Sequence, residues 1–276
     1  RIGHPRRGSR CVPVQFSMIV SSRFEHRLGL WRSVLMYHGI PFRRRRLTRF
    51  YAGFIQRGDL CFDIGAHVGS RLRAWTPLGV RIVAVEPQPE FMTLLRRWYG
   101  DRPNIILIEQ AVGAAPGTAD LLVSSRTPTV TTLSSAWTEA VRVDRAFEKV
   151  RWDYRLPVMV TTLDELITRH GLPAFCKIDV EGYELEVLKG LSQPIPALSF
   201  EFIPACLGTA RGCVAYLAEL GRYEFNWSVG EAQRLRSSGW LDAAQLLVCL
   251  DDIASTGKSG DIYARHRSLD FTANRR

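Results

Sequence analysis

Two carboxylates stand on either side of a single valine in KIDVEGYELEVLKG, residues 177–190: Asp179 and Glu181. The apolar residues before them predict a buried strand, and the residues after them predict a helix. A carboxylate at the end of such a strand can take a proton from a substrate hydroxyl. The same acids could instead cap the helix or stabilise its first turn through the helix dipole. For Glu181 both interpretations stay open, whereas the strand-end position of Asp179 favours chemistry.

A second group of candidates lies in DIGAHVG, residues 63–69, at the end of another apolar run. Gly65 would let the backbone turn tightly and approach a ligand, and Gly69 would let the next helix pack close to the strand. The spacing differs from G-x-G-x-x-G, a motif that holds a pyrophosphate. Because Asp63 precedes the glycines and would repel a phosphate, the segment indicates a ligand that carries an amine.

An acid also ends the next apolar run, VAVEP, where Glu86 precedes Pro87. A carboxylate at this position can accept hydrogen bonds from both hydroxyls of a ribose. S-adenosylmethionine fits a ligand with an amine, a free ribose diol and no phosphate, whereas NAD and ATP fit poorly. The alternative is that Asp63 only caps a helix and Glu86 is solvated, but both acids stand in consecutive strand–helix units.

The elements that must position these residues follow from residue 59 onward as short apolar runs that alternate with helical segments. Strands are predicted in DLCFDIG, RIVAVEP, NIILIEQAVG, AFCKIDV, ALSFEF and GDIYAR, and a helix such as PEFMTLLRRWY has its apolar residues on one face. This order predicts a mostly parallel, doubly wound α/β sheet with ligands at the carboxyl ends of its strands. Residues 114–156 interrupt it with a strand, GTADLLVSS, and a Ser/Thr-rich loop.

Composition narrows the class of protein further. The 276 residues are 46% hydrophobic, which suffices for one sizeable core, and no apolar run is long enough for a transmembrane helix. We expect no signal peptide, because CVPVQFSMIV is too short and too mixed and lacks a small-residue cleavage site. The six cysteines show no paired metal spacing, and a reducing, cytoplasmic location is the simpler interpretation. The histidines are scattered, so no metal site is expected.

The net charge of +10 is concentrated at the N-terminus. Residues 1–58 hold thirteen arginines against one acid, or +12, and the other 218 residues hold 24 basic against 26 acidic residues, or −2. We therefore expect a basic, helical N-terminal extension over 1–54, disordered in 1–17, then one domain over 55–268 and a tail over 269–276. Arg43–Arg46 is a solvated surface or a contact with an anionic partner, such as the inner face of a membrane.

Several of these segments resemble one known family. CFDIGAHVG, VAVEPQPE, TTLDEL, KIDVEGYELEVLKG and GDIYAR are similar to segments of the FkbM-type methyltransferases, over about residues 59–265. The resemblance implies a class I methyltransferase fold, S-adenosylmethionine as cofactor, and methyl transfer to a hydroxyl of a sugar, glycolipid or natural product. The chain departs from the family at His67, where Asn is usual, and in SRLRAW after Gly69.

The resemblance also implies roles for individual residues. The expected cofactor contacts are Asp63, Gly65, Ala66, His67 and Gly69 at the methionine end, Glu86 with Pro87 at the ribose, and Glu109 to Ala111 at the adenine, where Gln110 suits a base edge. Asp179 and Glu181 are the catalytic candidates, and Lys177, on the same strand face as Asp179, is expected to pair with it. Ser134, Ser135 and Glu201 are the substrate-binding candidates.

Two other functions fit parts of the sequence. An RNA methyltransferase would explain the basic extension, but DVEG is unlike the Asn/Asp-Pro-Pro-aromatic turn that grips a flipped base, so nucleic acid is not the expected partner. A binding protein that has lost turnover would explain His67 and Arg71. Titration with the cofactor and salt-dependent binding of RNA distinguish these alternatives. The expected partner is a small-molecule or glycan acceptor.

Overall fold

The computed structural model of the chain describes residues 43–144, 147–230 and 232–269. The predicted disordered segment 1–17 and nearly all of the predicted tail lie outside these residues. The helices are α1 Arg43–Tyr51, α2 Ser70–Trp75, α3 Pro89–Tyr99, α4 Ser135–Ala140, α5 Leu163–His170, α6 Glu184–Lys189, α7 Leu207–Leu220 and α8 Ala243–Ser255. The strands are β1 Leu60–Ile64, β2 Arg81–Val85, β3 Ile105–Ile108, β4 Ala111–Val112, β5 Gly117–Val123, β6 Tyr154–Thr161, β7 Phe175–Ile178, β8 Ala197–Phe202, β9 Tyr223–Val229 and β10 Gly260–His266.

A seven-stranded sheet forms the centre of the molecule, in the order β3-β2-β1-β7-β8-β10-β9. The first five of these strands are parallel, and β10 runs antiparallel to both of its neighbours. Buried aliphatic side chains cover both faces, since the parallel strands are packed between helices. The predicted mostly parallel α/β sheet is confirmed, and its parallel strands bring their carboxyl ends to one edge.

A second, three-stranded sheet in the order β4-β6-β5 was not predicted. The segment NIILIEQAVG, predicted as one strand, is divided, because β3 ends at Ile108 and Ala111 pairs with Val160 of β6 instead. Ala111 is buried there in a small apolar cluster with residues of β5 and β6. An apolar run does not reveal which sheet it joins, so the sequence could not show this division. The segment between β5 and β6 reaches over the strand ends of the large sheet.

Helix α1 packs into the domain core, although the sequence predicted that a separate extension reaches residue 54. Leu47 and Tyr51 are about fully buried, at 2% and 1% exposure, and the Tyr51 ring meets those of Trp75 and Phe175 edge to face. The arginine run is also not one surface, since Arg43 is buried whereas the next three arginines are exposed. No helix of the described residues has the length and apolar character that a membrane span requires.

The packing of α1 predicts a large stability loss for Leu47→Ala. Removing a buried Leu side chain costs about 2–5 kcal/mol of unfolding free energy, because transfer energy is lost and a cavity remains. Val143→Ala, at a side chain that is 88% exposed, is the control and should change stability by less than about 0.5 kcal/mol. Denaturant unfolding of the full chain measures both. Equal stability of the two variants would show that α1 lies outside the cooperative domain.

Candidate active site

A cavity of about 310 Å³ opens at the carboxyl ends of β1, β2, β7 and β8. Its roof comes from residues 128–133, in the segment between β5 and β6. The volume lies in the range of small-molecule sites. Eleven of the fifteen predicted site residues line it: Asp63, Gly65, Ala66, His67, Glu86, Pro87, Gln110, Ala111, Asp179, Glu181 and Glu201. The fold therefore brings strand-end residues that are far apart in sequence to one cavity.

Gly69 and Glu109 do not line the cavity, although both were predicted to contact the cofactor. Gly69 has a left-handed φ of 73°, and a Cβ there would lie 2.8 Å from the Leu95 side chain of α3. Its lack of a side chain thus lets the loop pack on α3 rather than on β1. The carboxylate of Glu109 instead forms an ion pair of 2.7 Å with Arg96. The cavity lining therefore does not support a cofactor contact for either residue.

The serines predicted to bind substrate are also outside the cavity lining. The Ser134 hydroxyl accepts a hydrogen bond from the Trp137 amide and caps α4, and Ser135 is the first residue of that helix. The roof residues that do line the cavity are Thr131 and Thr132, one turn earlier. The sequence identified the polar loop but could not separate the residues that face the cavity from those that begin a helix.

Asp63 is a buried carboxylate in the cavity wall. Its Oδ2 atom has no hydrogen-bond partner among the described residues. Burial raises the pKa of Asp63 to about 7, against the lowering effect of the Arg71 guanidinium, and the charge of Asp179 raises it further. A buried carboxylate with a free oxygen beside a cavity suits a ligand that brings an amine. This agrees with the position expected for the amino group of the cofactor.

Glu86 is held by the backbone on both oxygens. It accepts hydrogen bonds from the amides of His67 at 2.8 Å and Gln88 at 2.9 Å, and each oxygen keeps a lone pair for a further donor. Burial raises the pKa of Glu86 to about 7, although the two amide hydrogen bonds lower it. His67 has a φ of 50°, a conformation in which His, like Asn, is over-represented among residues other than Gly. The departure from the family at this position is therefore compatible with the same loop shape.

Gly65 joins the cofactor loop to the end of β7. Its φ is 82°, and a Cβ at this position would overlap the carbonyl oxygen of Asp179. The amides of Gly65 and Ala66 both donate to the Val85 carbonyl, and the Asp179 amide donates to Ile64. The loop after β1 and the turn after β7 are therefore in direct backbone contact.

The turn after β7 is held from two sides. Glu181 has an unusual φ of 54°, and its carbonyl accepts a hydrogen bond of 2.7 Å from the roof residue Thr132. The buried carboxylate of Glu184 accepts hydrogen bonds from the amides of Val180 and Gly182 at 3.3 and 3.1 Å. A left-handed non-glycine residue that is fixed in this way is typical of functional turns. Sequence reasoning had not identified Glu184 as the residue that organises the turn.

Asp179, Glu181 and Glu201 form a carboxylate cluster, since each has an oxygen within 4.8 Å of the other two. Burial raises the pKa of Glu181 well above its ordinary value, and the charge of Asp179 raises it further. Burial and then the Glu181 charge do the same for Glu201. The cluster therefore retains a proton more readily than isolated acids would. Carboxylate oxygens are also the ligands of hard cations such as Mg²⁺ and Ca²⁺, and the scattered histidines gave no indication of this cluster. The predicted absence of a metal stays a prediction.

Lys177 lies beneath this cluster with no exposed surface. The predicted ion pair with Asp179 is confirmed, with 3.4 Å between Nζ and Oδ2. A second acid, Asp261 of β10, comes closer, at 2.6 Å from the same Nζ. This partner is 84 positions away in the sequence, so no local pattern could have indicated it.

The comparisons with known proteins agree with this geometry. The model of the FkbM methyltransferase domain matches residues 63–204, just over half of the chain. The chain belongs to this family. It is an S-adenosylmethionine-dependent methyltransferase, and the strand order with an antiparallel β10 is that of the class I fold. No curated protein matches the chain.

Solved structures are similar to the chain at low identity. The precorrin-6y C5,15-methyltransferase of Geobacter metallireducens is 15% identical over 81% of this chain and 86% of its own, with a TM-score of 0.42. The O-methyltransferase of Bacillus cereus, solved with SAH, is 14% identical over 92% of this chain and 94% of its own, with a TM-score of 0.41. A TehB-like methyltransferase of Corynebacterium glutamicum is 9% identical over 90% of this chain and 100% of its own, with a TM-score of 0.41.

The residues of the cavity fit S-adenosylmethionine. The unpartnered Asp63 oxygen suits the amine, the two lone pairs of Glu86 suit the ribose hydroxyls, and Gly65 leaves room along the loop. Gln110 lines the cavity beyond β3, where its amide suits the base. The individual contacts remain predictions.

Gly65→Ala should disrupt both the cofactor loop and the catalytic turn, because its methyl group would displace the Asp179 carbonyl. We expect methyl transfer to be about 100-fold slower, since a shift of about 1 Å misaligns the reacting groups. Gly58→Ala is a matched control, because Gly58 also has a left-handed φ, of 88°, but a Cβ there would contact nothing within 4 Å. That variant should lose only about 1–2 kcal/mol of stability and keep its cofactor affinity by calorimetry. An equal loss of methyl-transfer rate in the two variants would show that the contact between Gly65 and Asp179 does not align the reacting groups.

Glu86→Gln should change how the stability of the cofactor-free protein depends on pH. The pKa of Glu86 is about 7 in the folded state against 4.5 for an ordinary glutamate. Between these values the folded protein holds a proton that the unfolded chain has released, so stability falls as pH rises through this window. The contribution is on the order of 3 kcal/mol. Gln cannot titrate, so the variant should lose less stability between pH 5 and 7.5 in denaturant unfolding.

The control for this experiment is Glu109→Gln, which removes a partly exposed carboxylate that pairs with Arg96. If the unfolding free energy of Glu86→Gln depends on pH in the same way as that of wild type and of this control, Glu86 does not titrate near neutrality.

Proposed function

We propose that the protein transfers a methyl group from S-adenosylmethionine to a hydroxyl of a sugar, glycolipid or other natural product. The observation that carries this proposal is the carboxylate cluster of Asp179, Glu181 and Glu201 in the cavity wall. Carboxylates accept hydrogen bonds from hydroxyl groups and can take a proton from one of them. A polyhydroxylated acceptor therefore suits the cluster, which provides one acid for proton transfer and others for orientation.

The cofactor supplies, when bound, a methyl group on a positively charged sulfur. Asp63 and Glu86 would hold its polar ends, and Gly65 keeps the loop after β1 packed on the end of β7. The carboxylates of the cluster bind the acceptor hydroxyl and orient its oxygen for in-line attack. One of them takes the hydroxyl proton on a carboxylate oxygen as the new bond forms. The roof from residues 128–133 excludes water from this side of the cavity.

Two carboxylates compete for the role of base. Burial and the charge of Asp179 raise the pKa of Glu181, which makes its ionised form the stronger base. The bound cofactor would provide a nearby positive charge, which favours the ionised form of Glu181. Asp179 is half-buried, and its Oδ2 atom lies 3.4 Å from the Lys177 ammonium, so its carboxylate is already engaged in an ion pair. The geometry therefore favours Glu181 for proton transfer and Asp179 for orientation of the acceptor.

The location and the wider partners of the protein also remain proposals. The described cysteines Cys61, Cys176, Cys206, Cys213 and Cys249 are free thiols, which supports a reducing compartment such as the cytoplasm. Exposed Arg44–Arg46 and Arg49 support a peripheral contact with an anionic membrane face. No observation favours a nucleic-acid acceptor over a hydroxylated small molecule.

The activity is tested by incubating the protein with methyl-labelled S-adenosylmethionine and a cell extract of the source organism. Mass spectrometry of the labelled product then identifies the acceptor atom. We expect the label on a hydroxyl oxygen of a carbohydrate, lipid or natural-product fraction, and none in the nucleic acid fraction. Label on nitrogen, on carbon or in RNA would contradict the proposal, and so would calorimetry that detects no binding of S-adenosylmethionine.

Asp179→Ala and Glu181→Gln should keep cofactor affinity and lose turnover. We expect each to slow transfer about 100-fold or more, because proton transfer or acceptor orientation is lost. Glu186→Gln is the control, since Glu186 is a partly exposed acid on α6 that pairs with Lys189. Near-normal turnover of either cluster variant, measured with the same labelled extract, would remove that residue from the reaction.

A further inference from the structure

The buried Lys177 ammonium divides its interactions unequally between two acids. It donates hydrogen bonds to Asp261 Oδ1 at 2.6 Å and to the Ile178 carbonyl at 3.2 Å. Asp179 Oδ2 lies at 3.4 Å, within ion-pair distance but beyond the length of a strong charge-assisted hydrogen bond. The shorter contact to Asp261 therefore satisfies Lys177 first and leaves Asp179 less tightly engaged.

Asp261 is itself fixed in place by the sheet. It lies on β10 opposite Glu201 of the neighbouring antiparallel strand β8, which places it next to the carboxylate cluster. The Tyr263 hydroxyl donates a hydrogen bond of 3.3 Å to its other oxygen. Burial alone would raise the pKa of Asp261, but the Lys177 and Arg71 charges bring it below its ordinary value. The side chain is therefore an ionised and oriented partner of Lys177.

Lys177 cannot serve as the base in this environment. Burial lowers the pKa of Lys177, but the charges of Asp179 and Asp261 raise it by more than burial lowers it, so the net shift is upward. The ammonium therefore stays protonated throughout the neutral range. The charged and titratable groups that surround it come from α1, α2, β1, β7, the turn after β7, β8 and β10: Tyr51, Arg71, Asp63, Cys176, Asp179, Glu181, Glu201, Asp261 and Tyr263.

We propose that Asp261 is a positioning residue for methyl transfer, which holds the Lys177 ammonium back from Asp179 and so keeps the Asp179 carboxylate available to the acceptor. This inference rests on the proposed function, because it assigns the carboxylate cluster to the acceptor. If Asp261 were absent, the only remaining carboxylate in contact with Lys177 among the described residues would be Asp179. The ammonium would then move closer to Asp179, its more distant partner at present, and compete with the acceptor hydroxyl for the Asp179 oxygens.

The first test is Asp261→Asn, which keeps the shape of the side chain and can still accept a hydrogen bond from Tyr263. We expect unchanged affinity for S-adenosylmethionine by calorimetry and about tenfold slower methyl transfer. The acid limb of the rate profile should move to lower pH, by about one unit, because Lys177 then stabilises the ionised cluster more strongly. Asp261→Glu restores the carboxylate and should return the limb to near its wild-type position.

The matched control is Glu224→Gln. Glu224 joins β9 to β10 through an ion pair of 2.9 Å with Arg265, and its side chain is as buried as that of Asp261. This variant loses the ion pairs of Glu224 with Arg265 and Arg267, on the strand next to β10 and away from the cavity. It should lose stability but keep the wild-type pH profile.

A double variant, Lys177→Met with Asp261→Asn, gives the opposite expectation. Without the ammonium the cluster loses its stabilising charge, so the acid limb should move to higher pH than in wild type. The pair should also be coupled in folding, with a midpoint of thermal unfolding above that of Lys177→Met alone, since no buried Asp261 is left unpaired. This folding measurement needs no acceptor, so it separates a failure of this inference from a failure of the proposed function.

Three results would overturn the inference. The first is a limb that stays in place in Asp261→Asn while the rate falls, which would indicate a purely structural role. The second is a limb that moves in the same direction in the single and double variants. The third, informative even if Asp261→Asn does not fold, is the absence of coupling between the two substitutions in thermal unfolding.

Discussion

The rest of the site depends on one backbone contact, between Gly65 and the carbonyl oxygen of Asp179. A side chain at residue 65 would occupy the position of that oxygen. The contact fixes the loop that holds the cofactor against the turn that carries Asp179 and Glu181, with no intervening side chain that could change rotamer. Methyl transfer requires donor and acceptor to be aligned within a fraction of an ångström. A contact between two backbones is the most rigid way to set that distance, and it explains why a glycine is required here.

The electrostatic cost of the site is large. Asp63, Glu86 and Glu184 are all buried, and burial raises the pKa of each to about 7. The buried Lys177 ammonium offsets part of this negative charge. The left-handed backbone conformation of Glu181 is a further source of strain in the site. Such a site destabilises the free protein and is suited to a positively charged ligand, because the ligand supplies the missing counter-charge. Cofactor binding and folding stability are therefore coupled through the same carboxylates.

The second sheet explains how the cavity is closed. β5 and β6 carry the segment that contains the roof, and Trp137 of α4 packs so closely on Gly182 that a Cβ at that glycine would overlap its ring. The Thr132 hydroxyl fastens the roof to the Glu181 carbonyl. The roof and the catalytic turn are thus one packed unit, so changes in the roof will alter the position of Glu181 as well as access to the cavity.

The sequence by itself determined the parallel strands, the family, the cofactor and most of the strand-end acids. These follow from local patterns, because a buried strand is an apolar run, and its carboxyl end is the next polar residue. The sequence did not show that NIILIEQAVG divides between two sheets, that α1 belongs to the core, or that Ser134 caps a helix. It also could not show the pairing of Lys177 with Asp261 or the grouping of Glu201 with Glu181. Those features depend on which strands are neighbours, and the antiparallel return of β10 is set by packing across the whole sheet. Only the tertiary structure could decide them, since contacts between residues far apart in the chain leave no periodicity in the sequence.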